Sequence, residues 1–209
     1  MIQLASSARR VVFVSSGGTV YGVPKSVPIR EDHATDPICS YGITKLAIEK
    51  YLHLYRELHG LESVVLRLAN PYGERQRTHA SQGAIAVFLG KALRGEPIEI
   101  WGDGSVVRDY IHISDVTRAL LLAMDHAGSN RLFNIGSGLG ASLNEVLEAI
   151  ESATGVAPER HYLDGRPFDV PRSVLCIERA ERELGWRPHI GLKEGIARTA
   201  AWLRETGEF

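Results

Sequence analysis

Cysteine is scarce in this sequence, long apolar runs are absent, and charges of the two signs nearly cancel. Cys39 and Cys176 lie far apart without CxxC spacing, so neither a disulfide framework nor a metal site is indicated, and a reducing cytoplasm is the expected compartment. The formal net charge of −1 gives no reason to expect nucleic acid as a partner. The apolar stretch at residues 119–124 is far shorter than the roughly 20 residues of a membrane span, so no membrane partner is expected.

What the sequence does contain is an alternation of extended and helical patterns along its 209 residues. Residues 10–15 and 63–68 read as continuous apolar strands, the kind buried on both faces in parallel sheets. Between them, residues 40–59 have helical periodicity that ends at Gly60. A capping box, SLNE at 142–145, predicts the start of another helix. The alternation favours an α/β fold.

The other predicted elements continue this alternation. Helical segments are predicted at 2–8, 82–94, 114–126, 178–184 and 192–205, and strands at 97–101, 109–113, 132–136, 160–163 and 173–177.

The stretch SYGITK, residues 40–45, sets a phenol and an ammonium group four residues apart in the first turns of a predicted helix. Residues at this spacing project side by side, so Tyr41 and Lys45 can touch. A neighbouring positive charge favours the ionised form of a phenol, which would make it a base near neutral pH. On the spacing alone, a core tyrosine next to a surface lysine is the commoner arrangement, and only the surrounding motifs favour a catalytic pair.

Other motifs stand in a fixed order around this pair. VFVSSGGTVYG precedes it, and after it come LRLANPYG (66–73), VVRDYIHISD (106–115), FNIGSG (133–138), RPFD (166–169) and LGWRP (184–188). With YGITK, the series resembles the extended short-chain dehydrogenase/reductase family, in particular its NAD-dependent nucleotide-sugar epimerases and dehydratases. The resemblance covers nearly the whole chain and implies a partial Rossmann-like parallel sheet with a small α/β substrate-binding region.

The resemblance assigns catalytic roles near Tyr41. In this family the tyrosine takes the proton of the sugar C4 hydroxyl while hydride passes to NAD, and the lysine holds the nicotinamide ribose and stabilises the phenolate. A serine or threonine hydroxyl usually shares the proton path, but glycine occupies its position here, at Gly17. Ser16 and Thr19 flank this gap, and Thr19 is the preferred substitute because two residues along an extended segment return to the same side.

Binding residues follow from the same resemblance. Those expected to contact NAD are Ser15, Tyr41, Lys45, Leu68 and Pro71. On the substrate side, Arg108 and Arg166 would clamp the diphosphate, Asp169 would meet the nucleoside ribose, Asn70 would contact the phosphate or sugar, and Trp101 would pack on the base. Ser173 would stand beside the sugar C2 substituent, and its small size implies tolerance of N-acetylhexosamines.

The expected function is therefore a nucleotide-sugar 4-epimerase acting on a UDP-sugar such as UDP-glucose or UDP-N-acetylglucosamine. Alternatives are an inactive nucleotide-sugar-binding fragment and a dehydratase or reductase of the same family. A dehydratase is disfavoured because no Asp-Glu pair stands at Gly18 and Thr19, unless Glu31 or Asp32 replaces it.

Two expectations concern the organisation of the chain. Residues 1–76 are predicted to belong to the NAD-binding domain and residues 77–209 mainly to the substrate-binding region, with some segments returning to the sheet. The glycine-rich fingerprint of the family is expected before Met1, so an N-terminal portion is predicted to be missing, because the only similar turn, GSGLGA at 136–141, follows the catalytic pair. A homodimer through the Tyr41 helix is expected of the complete form.

Overall fold

The computed structural model describes residues 10–80, 82–165 and 170–209, so the helix predicted at 2–8 lies outside the described residues. The helices are α1 (Ser40–His59), α2 (Ala84–Arg94), α3 (Ile113–Asp125), α4 (Leu143–Thr154), α5 (Glu178–Leu184) and α6 (Leu192–Thr206). The strands are β1 (Val11–Ser16), β2 (Ser63–Leu68), β3 (Asn70–Tyr72), β4 (Ile98–Trp101), β5 (Val107–Arg108), β6 (Tyr110–His112), β7 (Leu132–Ile135), β8 (Ala141–Ser142), β9 (Arg160–Leu163) and β10 (Arg172–Ser173).

The sheet that carries the Tyr41 helix is parallel, with strand order β1-β2-β7. Phe13 lies opposite Val65, and Leu66 lies opposite Phe133. Helices α1 and α3 both pack against β1 and β2. Every residue of β2 is buried, as expected of a central strand in a parallel sheet. The predicted α/β fold with a parallel sheet is therefore confirmed.

A second group of elements follows along the chain. Its strands form three small sheets, with orders β10-β5-β8, β3-β6 and β4-β9. Helices α2, α4 and α6 pack on one another and share an apolar core with Ile98 and Ile100 of β4. Leu175 and Trp186 instead pack into the core of the β1-β2-β7 sheet. The domain boundary between residues 76 and 77 stays a prediction.

Most predicted elements are confirmed within one or two residues, including the capping box in which Ser142 and Glu145 bond reciprocally. The strand predicted at 173–177 is wrong in its extent, because only Arg172–Ser173 pairs as a strand and Leu175 forms an isolated parallel bridge with Ile29. Strands β3, β5 and β8 were not expected, since two or three residues are too few to show a period.

Helix α1 has two unlike faces. Its inner face buries Leu52 together with a charged residue, Glu49. Its outer face exposes large apolar side chains, namely Ile43, Tyr51, Leu54 and Leu58. Cys39 caps the first turn by accepting a hydrogen bond from the N–H of Gly42, and Gly60 ends the helix with a left-handed φ of 65°.

Candidate active site

Tyr41 and Lys45 lie together at the carboxyl end of β1. The Lys45 ammonium donates a hydrogen bond of 2.9 Å to the carbonyl oxygen of Val14. Its Nζ atom is 5.5 Å from the centroid of the Tyr41 ring, and the Tyr41 side chain is 56% exposed. The sequence therefore places the phenol and the ammonium on one face, as predicted, and the fold leaves the phenol accessible at the sheet edge where open α/β proteins bind ligands.

The turn after β1 brings Thr19 to the first turn of α1. A Cβ atom on Gly42 would lie 2.8 Å from the Thr19 carbonyl oxygen, so glycine allows the close approach of helix and turn. The Thr19 hydroxyl oxygen is buried and has no hydrogen-bond partner among residues 10–80, 82–165 and 170–209. The Ser16 carbonyl oxygen accepts the N–H of Val20 at 3.1 Å, which closes the turn.

Gly17, where the family usually has its hydroxyl, faces the core. A Cβ atom there would lie 2.5 Å from Cδ1 of Leu175 and 3.2 Å from the carbonyl oxygen of Arg67. A side chain at this position would require Leu175 to move.

A buried ion pair, Arg67 with Glu49, lies on the inner face of the helix that carries Tyr41 and Lys45. Arg67 binds Glu49 through two hydrogen bonds, Nε to Oε1 at 3.0 Å and Nη2 to Oε2 at 2.6 Å. The Ser15 hydroxyl also donates to Glu49, and the Arg67 guanidinium stacks 4.7 Å from the ring centroid of Tyr21. These contacts join α1 to β1 and β2 below the Tyr41 phenol.

Three of the six predicted substrate residues line one cavity of about 480 Å³, and Ser173 is not part of its wall. Asn70, Trp101 and Arg108 line it, as does Pro71. Asn70 and Pro71 begin β3 just after Leu68 and Ala69, and the carboxyl end of β2 lies beside that of β1, so this part of the cavity wall continues from the sheet edge at which β1 ends. Helix α2 begins at the cavity wall, where its N-cap, Gly83, supplies no side-chain hydrogen bond. Uncapped N–H groups at a helix start favour anions.

Hydrogen bonds fix several cavity residues. The Asn70 amide nitrogen Nδ2 donates to the carbonyl oxygen of Asp109 at 2.8 Å. Arg108 Nη1 donates to the carbonyl oxygen of Val170 at 2.5 Å. Ser173 is 8% exposed and pairs with Arg108 across β10 and β5. Arg166 and Asp169 lie outside the described residues, so their predicted roles stay predictions.

Tyr110 forms part of the cavity wall. Burial raises the pKa of Tyr110 to about 12, against the opposing effect of Arg108. The phenol therefore stays protonated at neutral pH and offers a hydrogen-bond donor.

Comparison with known proteins agrees with this arrangement. The model of the NAD dependent epimerase/dehydratase family matches residues 1–136. The chain belongs to this family. The UDP-glucose 4-epimerase of Mycolicibacterium smegmatis is 39% identical over 212 residues, covering 99% of this chain and 68% of that protein. The dTDP-4-dehydro-6-deoxyglucose reductase of Escherichia coli is 39% identical over 200 residues, covering 95% of this chain and 63% of that protein.

A solved structure is similar over nearly the whole described fold. The UDP-glucose 4-epimerase of Thermotoga maritima, crystallised with UDP-glucose, matches with a TM-score of 0.92 and 40% identity, covering 96% of this chain and 65% of that one. This member of the NAD dependent epimerase/dehydratase family thus spans about two thirds of the length of the relatives it matches.

Of the residues expected to contact NAD, only some have polar groups that are free to bind the nicotinamide ribose. Lys45 uses one of its three N–H groups on Val14 and keeps two for ribose hydroxyls. Leu68 is buried, and its carbonyl oxygen accepts the N–H of Gly17 at 2.7 Å. Ser15 has its hydroxyl engaged by Glu49. Among these residues, Lys45 keeps free N–H donors and Tyr41 is exposed, whereas the Ser15 hydroxyl is already engaged.

The glycine-rich turn GSGLGA serves the packing of this epimerase/dehydratase. A Cβ atom on Gly136 would lie 2.4 Å from Oδ2 of Asp109, so glycine permits a close approach to that carboxylate. The helix that follows, α4, has its N-terminus capped by Ser142 and carries the Glu145 carboxylate there. A pyrophosphate would meet this negative charge, which argues against the turn as a dinucleotide site.

Sequence reasoning missed three groups that shape the site: Glu49, Arg67 and Asp109. Glu49 stands four residues after Lys45, so helical spacing could have indicated it. Nothing in the sequence pairs Glu49 with Arg67 or marks Asp109 as buried. Among the described residues, His, Cys, Asp and Glu side chains form no group of three that could hold a metal ion. No helix within the described ranges is long and apolar enough to cross a membrane.

Proposed function

We propose that the protein is an NAD-dependent nucleotide-sugar 4-epimerase, an isomerase of carbohydrate metabolism that acts on a UDP-sugar such as UDP-glucose or UDP-N-acetylglucosamine. The observation that carries this function is the accessible Tyr41 phenol beside the Lys45 ammonium, at a sheet edge that continues through Asn70 into a cavity.

Tyr41 would act as the base that takes the proton of the sugar C4 hydroxyl. Lys45 would be its electrostatic partner, because its ammonium lies 5.5 Å from the centroid of the Tyr41 ring and the Val14 carbonyl holds it in place. NAD, when bound, supplies the hydride acceptor. The Thr19 hydroxyl, buried and unpartnered within the described part of the chain, is the candidate to relay the proton between sugar and Tyr41. After the 4-keto sugar turns, the hydride held by the cofactor would return to the other face of C4, and Tyr41 would return the proton to the C4 oxygen, which would complete the epimerisation.

The cavity would hold the nucleotide. Arg108 and the uncapped start of α2 suit a diphosphate, since both offer N–H donors to phosphate oxygens. Trp101, on the cavity wall, would pack on the base. Arg166 and Asp169 would complete the phosphate clamp and the ribose contact. Asn70 would meet the sugar or phosphate at the junction between the cavity and Tyr41.

The test is to follow UDP-glucose and UDP-galactose in solution with NAD present. An epimerase interconverts the two sugars without lasting accumulation of reduced nicotinamide. Binding of both UDP and NAD without interconversion would contradict the proposed reaction. If the protein binds UDP but does not bind NAD, the alternative of a nucleotide-sugar-binding protein without activity is favoured instead.

A reductase is the second candidate, because the E. coli reductase is as similar in sequence as the M. smegmatis epimerase. Stoichiometric consumption of external reduced nicotinamide with a 4-keto sugar would identify it. A dehydratase is less favoured, since Glu31 is buried, accepts the N–H of Asn134 at 3.0 Å and lies 3.7 Å from Arg179. Glu31 is thus engaged in the core and is poorly placed to serve as an acid.

In this proposal, Ser173 stands beside the C2 substituent of the sugar. Because its side chain is small, the site would tolerate N-acetylhexosamines. Comparison of UDP-N-acetylglucosamine with UDP-glucose as substrates tests this role. Activity confined to the unacetylated sugar would count against it.

A cytoplasmic homodimer is part of the same proposal. The outer face of α1 exposes four large apolar side chains in one stripe, a surface that a second copy would cover. Cys39 and Cys176 are both free thiols, consistent with a reducing compartment. Light scattering of the wild type and of Leu54→Glu tests the dimer, and an unchanged mass for the variant would contradict this interface.

A further inference from the structure

Asp109 lies between β5 and β6, behind the cavity that would hold the nucleotide. Its side chain is 1% exposed, yet its carboxylate accepts hydrogen bonds from two separate loops. Oδ1 accepts the N–H of Ser137 at 2.7 Å and the Ser137 hydroxyl at 2.6 Å. Oδ2 accepts the N–H of Leu175 at 3.1 Å. Both oxygen atoms are therefore satisfied, as a buried charge requires.

The main chain of Asp109 adds a second bond to the stretch that contains Leu175 and reaches one further segment, β3. Its N–H donates to the Ser173 carbonyl oxygen at 3.0 Å. Its carbonyl oxygen accepts both the Asn70 N–H at 2.9 Å and the Asn70 side-chain amide at 2.8 Å. Arg108 is its chain neighbour. The residues proposed to meet the sugar and the diphosphate are thus fixed to one another through Asp109.

We propose that Asp109 is the positioning residue of the nucleotide-sugar site, fixing Asn70 and Arg108 in the geometry that binds the diphosphate and sugar. This role rests on the proposed function. Asp109 is not a contact residue, because it acts through its neighbours.

The chemistry explains why the residue is an aspartate. Three donors converge on its two oxygen atoms, and a carboxylate offers only acceptors. An asparagine would turn an NH₂ group toward either Leu175 or Ser137, leaving a donor facing a donor. Burial raises the pKa of the Asp109 carboxyl, and hydrogen bonds from Ser137 and Leu175 oppose that shift. The glycine at 136 gives the carboxylate its space.

A positioning role of Asp109 and a purely electrostatic effect of its charge predict opposite changes in UDP affinity. A buried negative charge next to Arg108 repels a diphosphate, so removal of the charge alone should tighten the binding of UDP. If Asp109 instead positions Asn70 and Arg108, removal of its hydrogen bonds should weaken the binding of UDP. Uridine, which lacks the diphosphate, should then lose less affinity than UDP.

The test is calorimetric titration of the whole chain with UDP and with uridine. For Asp109→Asn we expect UDP affinity to fall by about tenfold or more, the loss that follows an unpaired buried donor, and uridine affinity to fall by less. Asp125→Asn, at the exposed end of α3, is the matched control and should bind UDP as the wild type does. Ser137→Ala removes one donor, leaves the carboxylate in place and should weaken UDP binding by a smaller factor.

Three outcomes of these titrations decide whether Asp109 has the positioning role. Selective weakening of UDP binding in Asp109→Asn supports the positioning role, and if that variant does not fold, Ser137→Ala decides alone. UDP binding that is unchanged or tighter in the variants overturns it, while the proposed function stands. If the wild type binds neither UDP nor uridine, the proposed substrate class is wrong and the inference falls with it.

Discussion

The ammonium of Lys45 is anchored to the main chain of β1, through a hydrogen bond of 2.9 Å to the Val14 carbonyl oxygen. The same Nζ atom lies 5.5 Å from the ring centroid of Tyr41 and 5.0 Å from that of Phe13. The strand therefore sets the position of the charge that faces the phenol. The proximity of Tyr41 and Lys45 is a product of helix spacing and of the contact between α1 and β1.

Tyr41→Phe should abolish most of the epimerase activity, with kcat reduced by about 10²- to 10⁴-fold, because the variant has no proton acceptor. UDP affinity should not change, since Tyr41 does not line the cavity that would hold the nucleotide. Tyr51→Phe, on the outer face of α1, is the matched control. Unaltered turnover in Tyr41→Phe would falsify the assigned role.

Lys45→Met should also lower kcat near neutral pH, because the phenolate loses its neighbouring positive charge. A pH profile of kcat for the wild type, Lys45→Met and the exposed control Lys50→Met measures the effect. The same profile in all three proteins would remove Lys45 from the mechanism.

Thr19→Val keeps the shape of the side chain and removes the buried hydroxyl. If Thr19 relays the proton, kcat should fall by about a hundredfold with little change in KM. Ser16→Ala is the comparison, since Ser16 is the other hydroxyl that flanks Gly17. A larger loss in Ser16→Ala than in Thr19→Val would transfer the role to Ser16.

Arg67→Met should destabilise the fold by about 3–5 kcal/mol, because it leaves the Glu49 carboxylate buried without its partner. Side chains of Arg67 and Glu49 are 5% and 8% exposed, so solvent screens the pair little. The double variant Glu49→Met with Arg67→Met should recover most of the loss. Urea unfolding of the three proteins measures this, and equal stability of single and double variants would contradict the coupling.

His112 should make the fold less stable in mild acid. Burial lowers the pKa of His112, although the nearby carboxylate of Glu74 opposes this. Above pH of about 6.5 the ring is neutral in both the folded and the unfolded chain. As the pH falls below that value the unfolded chain takes up the proton first, so the free energy of unfolding decreases.

Urea unfolding above and below a pH of about 6.5 measures this decrease in the free energy of unfolding. His112→Asn is a suitable variant, because His112 caps α3 by accepting the N–H of Ser114 and asparagine is a good N-cap residue. The variant should lose less stability between the two pH values than the wild type. An identical loss would assign the pH dependence to other groups.

Local patterns predicted most of the elements. Helix α1 and strand β2 have the predicted bounds, because an amphipathic period and a continuous apolar run are complete within each segment. The short strands β5 and β10 pair Arg108 with Ser173, and no local pattern indicates a pairing over so few residues.

The sequence by itself determined the α/β fold, the family and the pairing of Tyr41 with Lys45, since periodicity, motif order and helix spacing are properties of a chain read along its length. Only the tertiary structure decided that Glu49 and Arg67 form a buried pair, that the Ser15 hydroxyl is engaged there, and that Asp109 joins three other segments. These contacts link residues far apart in the chain. Their energies depend on burial and on donor geometry, and both exist only once the strands and helices have packed.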